Sequence, residues 1–142
     1  MTPPSLLHVL HHLDYVPVIV ISIIGFAFGA LWFAPPVFGK TWKEEVKLTD
    51  EQCRSGSARK LIGTFLCTIV LTVALDVLFE RRGTEGLLAG AKFGLLLGVG
   101  IAAALHVPMT LFDGRSCRYR AIVVGYEVAL CALLGAILGV WR

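Results

Sequence analysis

Four apolar stretches without a polar face constrain this chain more than any other feature of its sequence. Each is long enough to cross a hydrocarbon layer of about 30 Å as a helix. In the third, Gly86 to Thr110, small residues recur at every fourth position: Gly86, Gly90, Gly94, Gly98 and Ala102, followed by His106. On a helix that spacing lays a strip of almost no side chain along one ridge and ends it in an ionisable ring. Neighbouring helices can approach such a strip closely, so the third stretch is expected to be the helix around which the other three pack. Leucine at Gly94 or Gly98 is then expected to break the packing, and alanine to be far milder.

Most of the charge lies in the segments between the stretches. With 56% hydrophobic and 16% charged residues in 142, and a mean hydropathy of +0.77, the chain lacks the polar helix faces that a water-soluble core requires. The expected fold is all-α, a four-transmembrane-helix bundle forming a single membrane domain over residues 1–142, with the lipid bilayer as its surroundings. The expected spans are about 15–34, 61–79, 86–111 and 121–141, with a short amphipathic N-terminal turn and a partly helical first loop. The net charge of +3 flanks apolar spans and forms no basic face, which argues against nucleic-acid binding. Cys53, Cys67, Cys117 and Cys131 have no metal-ligand spacing, and no disulfide framework is expected. No Lys or Arg precedes the first apolar run, so the first span is expected to be retained and not removed as a signal peptide.

Ser5 can cap a turn that carries Leu6, Leu7, Leu10 and Leu13 together with His8, His11 and His12. His8 and His12 have i, i+4 spacing, but only Asp14 lies near enough to complete a ligand set, so these are read as interfacial histidines and no metal is assigned. The first span tolerates Pro17 in its opening turn and has a small face at Gly25 and Gly29, with Ser22 and Ala30 nearby. Thr49 and Gln52 form a capping box in the first loop. Thr64, Thr68, Thr72 and Asp76 recur every fourth residue in the second span. Gly83 turns the chain into the third span, and the fourth carries Gly135 and Gly139.

The first span ends in Trp32-Phe33-Ala34-Pro35-Pro36 and runs on through Val37-Phe38-Gly39-Lys40-Thr41-Trp42. The last span contains Gly125-Tyr126-Glu127 and ends Gly135-Ala136-Ile137-Leu138-Gly139-Val140-Trp141. These two motifs resemble those of a bacterial family of small four-helix membrane proteins known only as a domain of unknown function. In that family the first span ends Trp-aromatic-small-Pro before Phe-Gly-Lys-x-Trp, and the last carries Gly-Tyr-His and Gly-Ala-Ile-Leu-Gly-x-Trp. Here Glu127 stands where many relatives are expected to have His. The resemblance covers nearly the whole chain; it implies a four-span fold and no known activity.

Lys40, Lys43, Lys47, Arg54, Arg59 and Lys60 in the first loop, and Arg115, Arg118 and Arg120 in the third, outnumber Arg81, Arg82 and Arg142 on the other side by nine to three. That bias is expected to place the first and third loops in the bacterial cytoplasm and both termini outside the inner membrane.

Asp76, Lys92, His106 and Glu127 are the ionisable groups within the spans, where charge is expensive and seldom incidental. Counting residues from Gly83, Asp76 and Lys92 reach nearly one depth and form a candidate buried ion pair. Counting from Ser116, His106 and Glu127 also match in depth, which makes them a candidate proton or ion site. Thr64, Thr68 and Thr72 are a candidate polar path, although threonines in spans commonly bond their own helix backbone. The first reading of function is a small proton-linked transporter or channel. It is expected to act as a homo-oligomer assembled through glycine faces such as Gly25 and Gly29 or Gly135 and Gly139. The alternative is a structural or partner-binding membrane protein without transport or catalysis. Nothing in the chain pairs a nucleophile with a base or forms a nucleotide loop, so no catalytic residue is assigned and no cofactor is expected.

Overall fold

Asp14 caps the first long helix, its carboxylate accepting the Val16 amide at 3.3 Å. The computed structural model describes residues 14–142, and every regular element among them is helical. The amphipathic turn and the histidines His8, His11 and His12 lie outside the described residues. Helix α1 is Tyr15–Trp32, and a π-helical turn at Pro35–Gly39 leads into α2, Lys40–Val46. A short helix α3, Asp50–Arg54, opens on the expected capping box: Thr49 and Gln52 satisfy each other's backbone amides. The second long helix, α4, is Ser57–Arg82, and the third is built of α5, Leu87–Leu97, a π-helical segment, Gly98–Ala103, and α6, Ala104–Phe112. The last is α7, Cys117–Trp141. Among the described residues four helices are thus long and apolar enough to cross a membrane, as expected of an all-α four-span fold.

The long helices outrun the apolar stretches that reveal them. Helix α4 takes in Arg59, Lys60 and Glu80 to Arg82, and it stops only where Gly56 and Gly83 adopt left-handed φ of 65° and 64°. Helix α7 begins four residues before its apolar run because the Ser116 hydroxyl accepts the Tyr119 amide at 3.0 Å and closes the first turn. Charged residues are good helix formers, so hydropathy marks the membrane part of each helix and caps mark its length.

The Ser116 hydroxyl also bonds the Glu45 carboxylate, which brings the first and third connections to one end of the bundle. At the other end Arg142 reaches Glu80 at 2.5 Å, beside the second connection. The buried core lies between α1, α4 and α7 and consists of Ile21, Leu75, Phe79, Leu130, Leu134 and Leu138.

The long helix that touches all three other long helices is α7, which corrects the expectation that the third span is central. A third of the apolar window of α7 is buried (33%), against 11% for Leu87–Phe112. The glycine strip explains the difference: it admits one partner very closely along one line, while Leu87, Leu88, Leu95, Leu96, Val99, Leu105 and Met109 on the remaining faces stay exposed. That one partner is α7. A Cβ at Gly90 would strike the Gly135 carbonyl, one at Gly94 the Cys131 carbonyl, and one at Gly98 would lie 2.9 Å from the Val128 Cα. At the end of the strip the Gly86 amide donates to the Gly139 carbonyl at 2.6 Å, a backbone bond between two helices.

Two expectations about glycine change as a result. Gly135 and Gly139 face Gly86, Gly90 and Gly94 within one chain, Gly25 faces Leu134 and Thr68, and Gly29 faces the Tyr126 hydroxyl. These faces are therefore inside the bundle and are not surfaces for assembly. Alanine in the strip is also not mild, because its methyl would meet backbone, which cannot rotate aside as a side chain can.

Gly90→Ala and Gly94→Ala should each destabilise the bundle in detergent by about 1–3 kcal/mol, and leucine at either position should abolish it. Gly63→Ala, at a position with open space around the new methyl, should leave thermal unfolding unchanged or raise it. Unfolding curves with all three alanine variants alike would remove the strip from its structural role.

Candidate functional site

His106 and Glu127 meet: Nδ1 of the imidazole lies 2.7 Å from Oε1 of the carboxylate, with the side chains 32% and 27% exposed. The other carboxylate oxygen, Oε2, is buried without a hydrogen-bond partner. The pair forms for a different reason from the depth match read in the sequence. The strip sets Gly98 against Val128, so Glu127 is level with Gly98, and His106 follows two turns further on. Side chains on a helix lean toward its N-terminus. Since the two helices run antiparallel, His106 leans back and Glu127 leans forward until they touch.

Rotation about the helix axis needs a second device. Eight residues of ideal α-helix would turn His106 about 80° away from the Gly98 line. The π-helical segment Gly98–Ala103 lies between them and accommodates one extra residue, which takes back about 100° and returns the imidazole to the side that faces α7. Pro108 follows in α6, where the ring leaves the helix one amide short.

The two motif stretches also converge on this region. Trp32 Nε1 donates to the Ile122 carbonyl at 3.1 Å, and Gly125 lies against the Trp32 ring. Tyr126 stacks on Phe28 with centroids 6.1 Å apart and meets Phe33 edge-on at 5.1 Å. Gly39 is required because a Cβ there would collide with the Phe33 and Ala34 backbone, against which the π-helical turn folds. Trp42 then closes on Phe33 at 5.7 Å. This aromatic block fixes the end of α1 to the turn of α7 that carries Glu127, a contact that no spacing rule in the sequence indicates.

Asp76 and Lys92 are not brought together. Asp76 accepts from Arg142 at 2.6 Å, and Arg142 also holds Glu80. Lys92 is exposed, because it lies two residues from both Gly90 and Gly94 and so about 200° around the helix from the strip. A signal for the true partner was present: Asp76 and Glu80 are four residues apart on one face and call for a cation at that end of the bundle. The threonine ridge resolves locally. Thr64, Thr68 and Thr72 donate to the carbonyls of Lys60, Thr64 and Thr68 at 2.8, 2.9 and 2.8 Å, which leaves their hydroxyls no free donor for a path. Ser22 joins Thr72 at 3.1 Å and links α1 to α4, a role beyond its place among small residues.

Four long apolar helices, the third and fourth in backbone contact and with ionisable groups paired between helices, fit a multi-pass helical membrane protein. The chain belongs to the family described as Protein of unknown function (DUF1761), whose model matches residues 16–139. No curated protein and no solved structure matches it.

The pairing at the Arg142 end is measurable in a double-mutant cycle. Asp76→Asn with Arg142→Gln should show coupling of about 1–3 kcal/mol in unfolding from detergent, and Asp76→Asn with Lys92→Gln a value near zero. The reverse result would return Lys92 to the role of partner.

Proposed function

We propose that this protein is a small proton-linked transporter or channel of the bacterial cytoplasmic membrane, in which His106 and Glu127 bind the proton or cation. The observation that carries this reading is the 2.7 Å contact between an imidazole and a carboxylate whose second oxygen has no partner. Imidazole changes charge within the physiological pH range, and a carboxylate in hydrogen-bond contact exchanges a proton with it. The unpartnered oxygen supplies an acceptor position for a proton or small cation, which a purely structural hydrogen bond would not require. Both side chains are partly exposed, so a proton can reach the pair from outside the helices and pass to the buried oxygen by rotation of the carboxylate.

Transport calls for more than one chain. The interior of the bundle is filled by Ile21, Phe79, Leu134 and Leu138, all at most 1% exposed, so a path past His106 runs along the outside of one bundle and is closed by another copy. The glycine faces are inside the bundle, which leaves the exposed leucine and isoleucine faces for the homo-oligomer. Its orientation follows from the nine-to-three bias of basic residues: both termini outside, and the first and third connections in the cytoplasm.

Two experiments test this. Vesicles reconstituted with the protein should dissipate an imposed pH gradient, and Glu127→Gln or His106→Ala, inserted and folded, should return the rate to that of empty vesicles. A wild-type rate equal to that of empty vesicles favours the structural or partner-binding reading. In intact cells a membrane-impermeant thiol reagent should leave Cys53 and Cys117 unlabelled until the membrane is permeabilised, and labelling of either from outside reverses the orientation.

A further inference from the structure

The opposite end of the third long helix has cations with no carboxylate to hold. Between the end of α4 and the start of α5 an open cleft of about 490 Å³ is lined by Arg82, Thr84, Glu85, Lys92, Phe93 and Leu96. None of the ion pairs among the described residues includes Arg82 or Lys92, while Arg142 at the same end is already held by Asp76 and Glu80. Arg82 lies over the Phe93 ring at 4.9 Å, which holds the guanidinium at the cleft. Thr84 is only 7% exposed and its hydroxyl has no hydrogen-bond partner. Two cations and an unanswered hydroxyl thus border one cavity whose remaining wall is apolar.

The depth of the cleft identifies what can reach it. The continuous helix Leu87–Phe112 has 26 residues, about 39 Å, and so exceeds a hydrocarbon core of about 30 Å by roughly 4–5 Å at each end. Lys92 begins about 8 Å from the helix start, just inside that boundary, and its side chain reaches the level of lipid phosphates. It also lies on the side of its helix away from the glycine strip and is exposed at the cleft. The lining has two positive side chains and one negative, Glu85, a net charge of +1 that suits a monoanion and disfavours a dianion. Phe93 and Leu96 continue the cleft toward the hydrocarbon.

We propose that this cleft binds the phosphodiester headgroup of an anionic phospholipid, with Lys92 and Arg82 as its cations, Thr84 as a hydroxyl partner and an acyl chain along Phe93 and Leu96. The lipid supplies the counter-charge that the bundle does not give Lys92. This inference is independent of the His106 and Glu127 site.

The test uses the full chain in a neutral detergent, stripped of lipid. By native mass spectrometry it should retain phosphatidylglycerol over phosphatidylcholine by about thirtyfold, and Lys92→Gln or Arg82→Gln should each reduce that preference about fivefold. Lys92→Arg should keep it, as should Lys40→Gln at the other end of the bundle. The same lipid should raise the thermal unfolding temperature of the wild-type chain where phosphatidylcholine does not, which tests the site even if a variant fails to fold. Inorganic phosphate should give no such rise; a rise equal to that with phosphatidylglycerol would make the occupant a soluble phosphate and overturn the lipid assignment. Equal retention of the two lipids, or a preference unchanged in Lys92→Gln, would also overturn it.

Discussion

Backbone meets backbone between the third and fourth long helices, and the rest of the bundle takes its register from that contact. In lipid no hydrophobic force drives one apolar helix onto another, so close packing and backbone polar contacts must hold them together. Gly86, Gly90, Gly94 and Gly98 on one helix, with Gly135 and Gly139 on the other, remove the side chains that would keep the carbonyls apart. The approach is close enough for the Gly86 amide, one of the groups a helix start leaves unbonded, to find the Gly139 carbonyl at 2.6 Å. A contact of this kind fixes sliding as well as distance, because moving either helix by one residue would set a side chain against a carbonyl.

That register determines how each ionisable group in the spans is met. Asp76 lies beside the end of α7 and is answered by Arg142. Glu127 lies beside Gly98, and the π-helical segment turns His106 back to reach it. Lys92 is turned to the outside by its distance from the strip and faces the cleft where Arg82 rests on Phe93. Four groups on three of the long helices thus acquire three different surroundings. The stretches around Trp32 to Trp42 and Gly125 to Glu127 serve the same arrangement: Gly39 permits the fold-back after α1, Trp32 bonds the Ile122 carbonyl, and Tyr126 fits over Gly29 beside the residue that carries the carboxylate.

Much of this was legible in the chain. The apolar stretches identify four helices, because a backbone in hydrocarbon must satisfy its own hydrogen bonds and a helix does so within one segment. The capping box at Thr49 and the turn at Gly83 are local devices that tertiary structure did not override. The glycine strip was visible as a spacing, and so was the pairing of His106 with Glu127, although the depth count that suggested it was not what brings the two together. The Asp76 and Lys92 pair illustrates the limit, since equal depth in two spans says nothing about which way each residue faces around its helix.

The sequence by itself determined which segments are helices, where small residues permit close approach and which side chains carry charge within the spans. These properties belong to single segments and follow from hydropathy, spacing and capping. Only the tertiary structure decided that α7 and not the third span is central, that alanine is excluded from the strip, that Asp76 pairs with Arg142, and that a π-helical turn aims His106. Each of these depends on rotation and sliding between helices, quantities that arise when two surfaces meet and that a periodic pattern along one chain does not contain.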